Sequence, residues 1–220
     1  MIHISRIRLV FVGLALLVFS SNSYSVAFTD ESMWRSAVGS FLLEDFDAIP
    51  AGSSIPELPS LGIRFGMLND GTFPTIQSYN NTGGTRKSNP HNLLNDADFA
   101  LPARGPYTIF PLNPSESIFG LGLWNVGNDD TLKLSFFDES DMLIEEVVSP
   151  AAFGFFGIFN ATGAKKVVID PVAGNGYMPV DDLQIAGTSI VPIPAAVWLF
   201  GSAFLALTGY SRRNTRITNK

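Results

Sequence analysis

Two sets of carboxylates in this chain sit where they could hold a cation. Glu44, Asp45 and Asp47 lie in the stretch FLLEDFDAIPAG, and Asp181 and Asp182 open DDLQIAG. If the two stretches are neighbouring strands, five carboxylates converge, and like charges that close need a cation or a proton between them. Calcium fits the residue types, because it takes six to eight oxygens from carboxylates and carbonyls. Alternation along a strand puts Asp45 and Asp47 on one face and Glu44 on the other. The expected ligands are therefore Asp47, Asp182 and one of Glu44 and Asp45. The competing expectation is an acidic sheet edge that deters pairing with other sheets.

A second kind of chemistry is sugar binding. Tyr79, Tyr107 and Tyr177 sit in or next to stretches rich in asparagine, as does Trp124. Flat aromatic faces beside amides and carboxylates are what a carbohydrate ring needs. Catalysis has less to draw on. His91 is the single histidine between Phe28 and Ile190, no serine stands in a Gly-x-Ser-x-Gly elbow, and the chain has no cysteine. Thiol nucleophiles and cysteine-type zinc sites are excluded. A carboxylate pair of glycosidase type stays open, since many pairs exist and none is marked. The expectation is a non-catalytic protein.

The elements that must position these residues read as mainly β. FTDESMWRSAVG predicts one short helix, with Thr29 or Asp30 as cap, Gly39 past its end, and Met33, Trp34 and Ala37/Val38 on one side. Strands are expected in FLLEDFDAIPAG, LGIRFGML, Phe73–Tyr79 and Phe99–Leu101, with loops elsewhere between 66 and 110. The second half is clearer: YTIFPL, SIFGLGLWNV, TLKLSFFD, MLIEEVVS, AAFGFFGIF, KKVVIDPV and DDLQIAG are short apolar or alternating runs between turn residues. In TLKLSFF, Leu132, Leu134 and Phe136 share one face. Such spacing without a βαβ rhythm predicts an antiparallel β-sandwich, jelly-roll-like, over residues 28–188. The sequons NNT (80–82) and NAT (160–162) read as loop polarity.

Both ends differ from this core. Basic residues His3, Arg6 and Arg8, the apolar run Leu9–Phe19 and a small-residue stretch predict a signal peptide over 1–27, cut after Ser25 or Ala27. Near the other end, Val191–Tyr210 is 20 uncharged residues, ~30 Å as a helix, which is enough to span a bilayer. A basic tail over 211–220 follows, with Arg212 and Arg213 first, so the tail is expected in the cytoplasm and the core outside. Six of the chain's 14 basic residues lie in these end segments; eight remain against all 20 acidic ones, a core balance of −12. That charge argues against nucleic acid as a partner.

Val191-Pro192-Ile193-Pro194-Ala195, then an apolar span, then Arg212-Arg213, resembles the sorting signal of VPLPA-CTERM proteins, a branch of the PEP-CTERM family of Gram-negative bacteria. Ile193 replaces the leucine of the motif, and the NTRITNK tail is longer than usual. The resemblance implies a sorting domain over 189–220, recognised by an exosortase-type membrane enzyme that cuts near the Pro motif. The core resembles that of many PEP-CTERM proteins through Trp34, Asp45-Phe46-Asp47, Pro50-Ala51-Gly52, Gly62-Ile63-Arg64-Phe65, Val167–Ile169 and Asp181-Asp182-Leu183. This implies a jelly-roll akin to carbohydrate-binding modules, with the first and last strands adjacent. Together these readings lead to an exported protein, anchored in the inner membrane as a precursor and then placed at the cell surface or in the extracellular matrix, where it contacts polysaccharide. The alternatives are a glycoside hydrolase acting on exopolysaccharide and a purely structural surface protein.

Overall fold

Alternation in the second half is expressed directly as two-sided strands. The structure, a computed structural model, describes residues 26–79, 86–96, 105–127, 131–150, 152–173 and 176–187. The expected leader up to residue 25, the strand Phe99–Leu101, the first sequon, the Pro motif, the span and the basic tail lie outside the described residues. Among the described residues no helix is long and apolar enough to cross a membrane.

The elements run β1 (Val26–Phe28), α1 (Glu31–Val38), β2 (Leu42–Glu44), β3 (Glu57–Leu58), β4 (Ile63–Phe65), β5 (Thr75–Ser78), β6 (His91–Leu94), β7 (Tyr107–Pro111), β8 (Ile118–Asn125), β9 (Thr131–Phe137), β10 (Leu143–Val148), β11 (Gly154–Ala164), β12 (Lys166–Ala173) and β13 (Val180–Ala186). They form two antiparallel sheets. One has the order β1-β11-β8-β13-β6-β5, with β2 also on β13; the other has the order β10-β9-β12-β7-β4-β3. Leu132, Leu134 and Phe136 of β9 are fully buried between the sheets, with Ile109, Leu121, Leu123, Val167 and Ile169 among their neighbours in the core.

Helix α1 lies on the outer side of the first sheet. Asp30 caps it by accepting from the Met33 N–H at 2.9 Å. Its Trp34 is wholly buried, donates from Nε1 to the Ile158 carbonyl at 3.0 Å and packs with Val38, Phe155 and Ala186. Two glycines make the seat: a Cβ on Gly157 would lie 2.7 Å from Trp34, and one on Gly122 would lie 2.7 Å from Phe155.

Several expectations are corrected. Met33 and Ala37 face solvent, so the buried side of α1 is Trp34 and Val38 alone. β2 stops at Glu44, and Phe46 turns the chain at φ 61° so that its ring drops into the core. Asp45 and Asp47 therefore do not share a strand face. Strands β1, β3 and β6 were not expected; β6 carries His91. The second sequon is in β11, with Asn160 buried and its Oδ1 accepting from the Thr162 N–H at 2.8 Å. One register matters later. Val26 lies opposite Phe159, Phe159 opposite Gly120, and Gly120 opposite Ala186, so the start of β1 and the end of β13 share one row across the sheet.

Candidate functional site

The expected carboxylates meet at one end of the sandwich. β13 runs beside β2, with Leu183 opposite Glu44, and Asp181 lies opposite Trp124 of β8. A bulge between Asp181 and Gln184, with Asp182 at φ 44°, turns the two aspartates apart. Asp181 goes inward and is fully buried. It accepts from the Tyr79 hydroxyl, from the Ser88 N–H at 2.9 Å, from the Ser88 hydroxyl at 3.0 Å and from the Asp182 N–H at 2.8 Å. Burial pushes its carboxyl above the usual carboxylate range, against the pull of those bonds. Burial and the bond to Asp181 also raise the Tyr79 phenol, which keeps its proton as the donor.

Asp182 stays nearer the surface and is pushed up to about 6, first by burial and then by Asp181, with Glu31 and Asp45 adding and Lys87 opposing. Lys87 is the pole's own cation. Its ammonium is 3.8 Å from Asp182, 3.8 Å from Glu31 and 4.2 Å from the centre of the Trp124 ring. Glu31 also accepts from Arg35, Gln184 and the Trp124 indole. The other expected ligands are turned to separate tasks. Glu44 accepts from the Phe46 N–H and the Ser60 hydroxyl, Asp45 from the Asp47 N–H, and Asp47 from the Asn89 and His91 N–H groups. Among the described residues no group of three or more acidic or histidine side chains is placed to hold a metal ion.

The tyrosines offer less than expected. Tyr107 is fully buried, donates to the Met178 carbonyl at 2.6 Å and packs edge-on to Phe65. Tyr79 is buried over Asp181. Neither presents an open ring to a sugar, because each hydroxyl is needed to satisfy buried acceptors. Tyr177 alone of the three is half-exposed. Trp124 is half-buried rather than core, with Lys87 over its ring.

A cleft lies at the opposite end of the sandwich. About 260 Å³ in volume, it lies on the outer face of the second sheet, with walls that include Arg64, Phe110, Asp138, Asp141, Lys165 and Lys166. Pairing sets a row across that face. Arg64 is opposite Phe110, Lys166 is opposite Phe137, and Lys166 precedes Val167, the partner of Ile109. The Arg64 guanidinium lies 4.4 Å over the Phe110 ring, and the Lys166 ammonium 4.0 Å from the centre of Phe137. Lys166 also pairs with Asp141. Lys165 donates to the Pro114 and Glu116 carbonyls at 3.1 and 2.6 Å. Asp138 accepts from the Ser140 and Met142 N–H groups. A neighbouring groove of about 270 Å³, between Leu42, Ile63, Ile118 and Gly187, is walled mainly by carbon and has fewer groups for a polar ligand.

The signal for this row was present in the alternation. YTIFPL sends Tyr107, Ile109 and Pro111 inward and leaves Phe110 outside with Thr108; TLKLSFF likewise leaves Phe137 outside with Lys133. An aromatic ring on the polar side of a two-sided strand is the unusual observation. No protein-family model matches the chain, and no curated protein matches it. Among solved structures, a DUF4465 family protein from Bacteroides caccae is similar at 13% identity over 74% of this chain and 86% of that one, with a TM-score of 0.32.

Proposed function

We propose that this chain is an exported protein whose non-catalytic sandwich holds polysaccharide at the cell surface or in the extracellular matrix. The observation that carries the reading is the cleft lined by Arg64, Phe110, Lys165 and Lys166 beside Asp138 and Asp141. It joins apolar ring surface to fixed charges and hydrogen-bonding groups on an open sheet face, the combination a sugar polymer requires. From β7 to β13 the chain crosses between the sheets at every step except the β9–β10 hairpin, which supports the jelly-roll-like topology of many sugar-binding modules. The processing reading completes the proposal. A leader directs export, the span after Val191–Ala195 anchors the precursor with Arg212 and Arg213 inside, and an exosortase-type membrane enzyme cuts near the Pro motif.

The cleft's acids speak for binding over hydrolysis. Asp141 is paired with Lys166, and Asp138 is held by two turn N–H groups. Each carboxylate is thereby committed to a partner within the protein. We read the Asp181 pole as structural, with Lys87 serving where a bound cation was expected. The test is to incubate the exported protein with the producing organism's own exopolysaccharide and measure bound protein and released sugar. Saturable retention without release is expected. Sustained release would make it a glycoside hydrolase, and no retention would leave a structural surface protein.

A further inference from the structure

We infer that Arg64 is a carboxylate-binding subsite and that the cleft takes an acidic, uronate-bearing polysaccharide. This rests on the polysaccharide reading above and narrows it to a chemical class.

Three observations carry it. First, Arg64 is exposed on β4 with its guanidinium 4.4 Å over the Phe110 ring, yet among the described residues no carboxylate pairs with it, although Glu57 lies opposite in register. The ring contact restrains the guanidinium, and its planar fork of N–H donors is the group that grips a carboxylate with two parallel bonds. Second, the other cations of the cleft are committed, Lys166 to Asp141 and Phe137, and Lys165 to two carbonyls. Lys165 keeps its charge but its ammonium is tied to those carbonyls, which leaves the Arg64 guanidinium as the cation with N–H groups to offer. Third, the chain carries a net charge of −6. An arginine left without an acidic partner on such a protein is charge held back for something outside it. The acidic turn at Asp138–Asp141 also lines the cleft, and its carboxylates can accept from sugar hydroxyls.

The test is retention of the full-length protein, in detergent, on three immobilised polymers: polygalacturonate, the same polymer fully methyl-esterified, and dextran. It is run at 0.15 M salt, where the Debye length is about 8 Å and the protein's overall negative field is screened. Polygalacturonate should retain the protein, and its ester and dextran should not. Arg64→Gln should weaken retention about tenfold or more, the scale of a charge-assisted bidentate contact. Arg64→Lys should recover only part, since it keeps the charge and loses the fork. Arg86→Gln, which removes an exposed charge outside the cleft, should change nothing. Equal retention of the acid and its ester, or an Arg64→Gln protein that binds as well as the parent, overturns the Arg64 assignment and leaves polysaccharide binding standing. Retention on none of the three, nor on the organism's own exopolysaccharide, removes both. Thermal melting of each variant separates lost binding from lost fold.

Discussion

Asp182→Asn should make the protein more stable at neutral pH and leave it unchanged in acid. In the folded protein Asp182 gives up its proton only at about 6, whereas an ordinary aspartate does so near 3.8. Between those values the folded state binds more protons than the unfolded one, so stability falls as pH rises through that window and the penalty is complete above about 6. Each tenfold change in proton affinity is worth about 1.4 kcal/mol, so the ionised side chain costs roughly 3 kcal/mol at pH 7.5. That figure already contains the pull of Lys87, and solvent screening at a half-buried side chain reduces it to about 1–2 kcal/mol. Asparagine tolerates the positive φ found there better than most residues do. The net gain is about 1–2 kcal/mol, a rise in Tm of roughly 3–6 °C for a domain this size. Melts of both proteins from pH 4 to 8 would show the gap opening as pH rises. A variant that melts lower at pH 7.5, or a gap that ignores pH, would refute the reasoning and make the Lys87 contact dominant over the crowding by Asp181, Glu31 and Asp45.

Other outcomes follow from the packing and the register. Gly157→Ala drives a Cβ to within 2.7 Å of Trp34, whose ring is anchored by its bond to Ile158, and should cost roughly 2 kcal/mol or more in a denaturant melt; an unchanged midpoint would show that α1 can shift away. EDTA should leave Tm where it is, because Asp47, Glu44 and Asp181 are already met by N–H and hydroxyl donors; a rise on adding calcium would place a cation in the pole. Of the two leader cuts the residue types allow, the one after Ser25 leaves β1 whole, and the one after Ala27 removes two of its three residues. N-terminal sequencing of the exported protein should therefore begin at Val26, and a start at Phe28 would show that β1 is dispensable.

The sandwich was legible because short apolar or alternating runs recur between turn residues in its second half, and burial follows the alternation in β7 and along Leu132, Leu134 and Phe136 of β9. The neighbourhood of β2 and β13 was also expected, through the resemblance of the core. What did not follow was the direction of the carboxylates. A single residue at positive φ, Phe46, ends the strand that would have aligned Asp45 with Asp47, and the bulge at Asp182 sends its neighbour inward. Neither leaves a pattern in an acid-rich stretch. The strands β1, β3 and β6 are two to four residues long, held by their neighbours rather than by their own periodicity. Lys87 and Glu31 were missed because their partners lie far along the chain. Tyr79 and Tyr107 looked like loop aromatics because the residues around them are polar, yet their hydroxyls bond acceptors far along the chain, the Asp181 carboxylate and the Met178 carbonyl.

The row that joins Val26, Phe159, Gly120 and Ala186 crosses three strand gaps, ~14 Å in all. A linker of about five residues would close the chain on itself, and a circular permutant opened in the exposed turn at Glu139–Ser140 is a natural variant of this fold. The same end of the sandwich carries Pro111, Ile118, Lys165 and Lys166, and hence the cleft. Any anchor attached beyond Gly187 therefore holds the molecule by its cleft end, with Lys87 and Trp124 pointing away. On the proposed function, cutting such a tether would free the cleft end for a polymer to approach, with no strand moved.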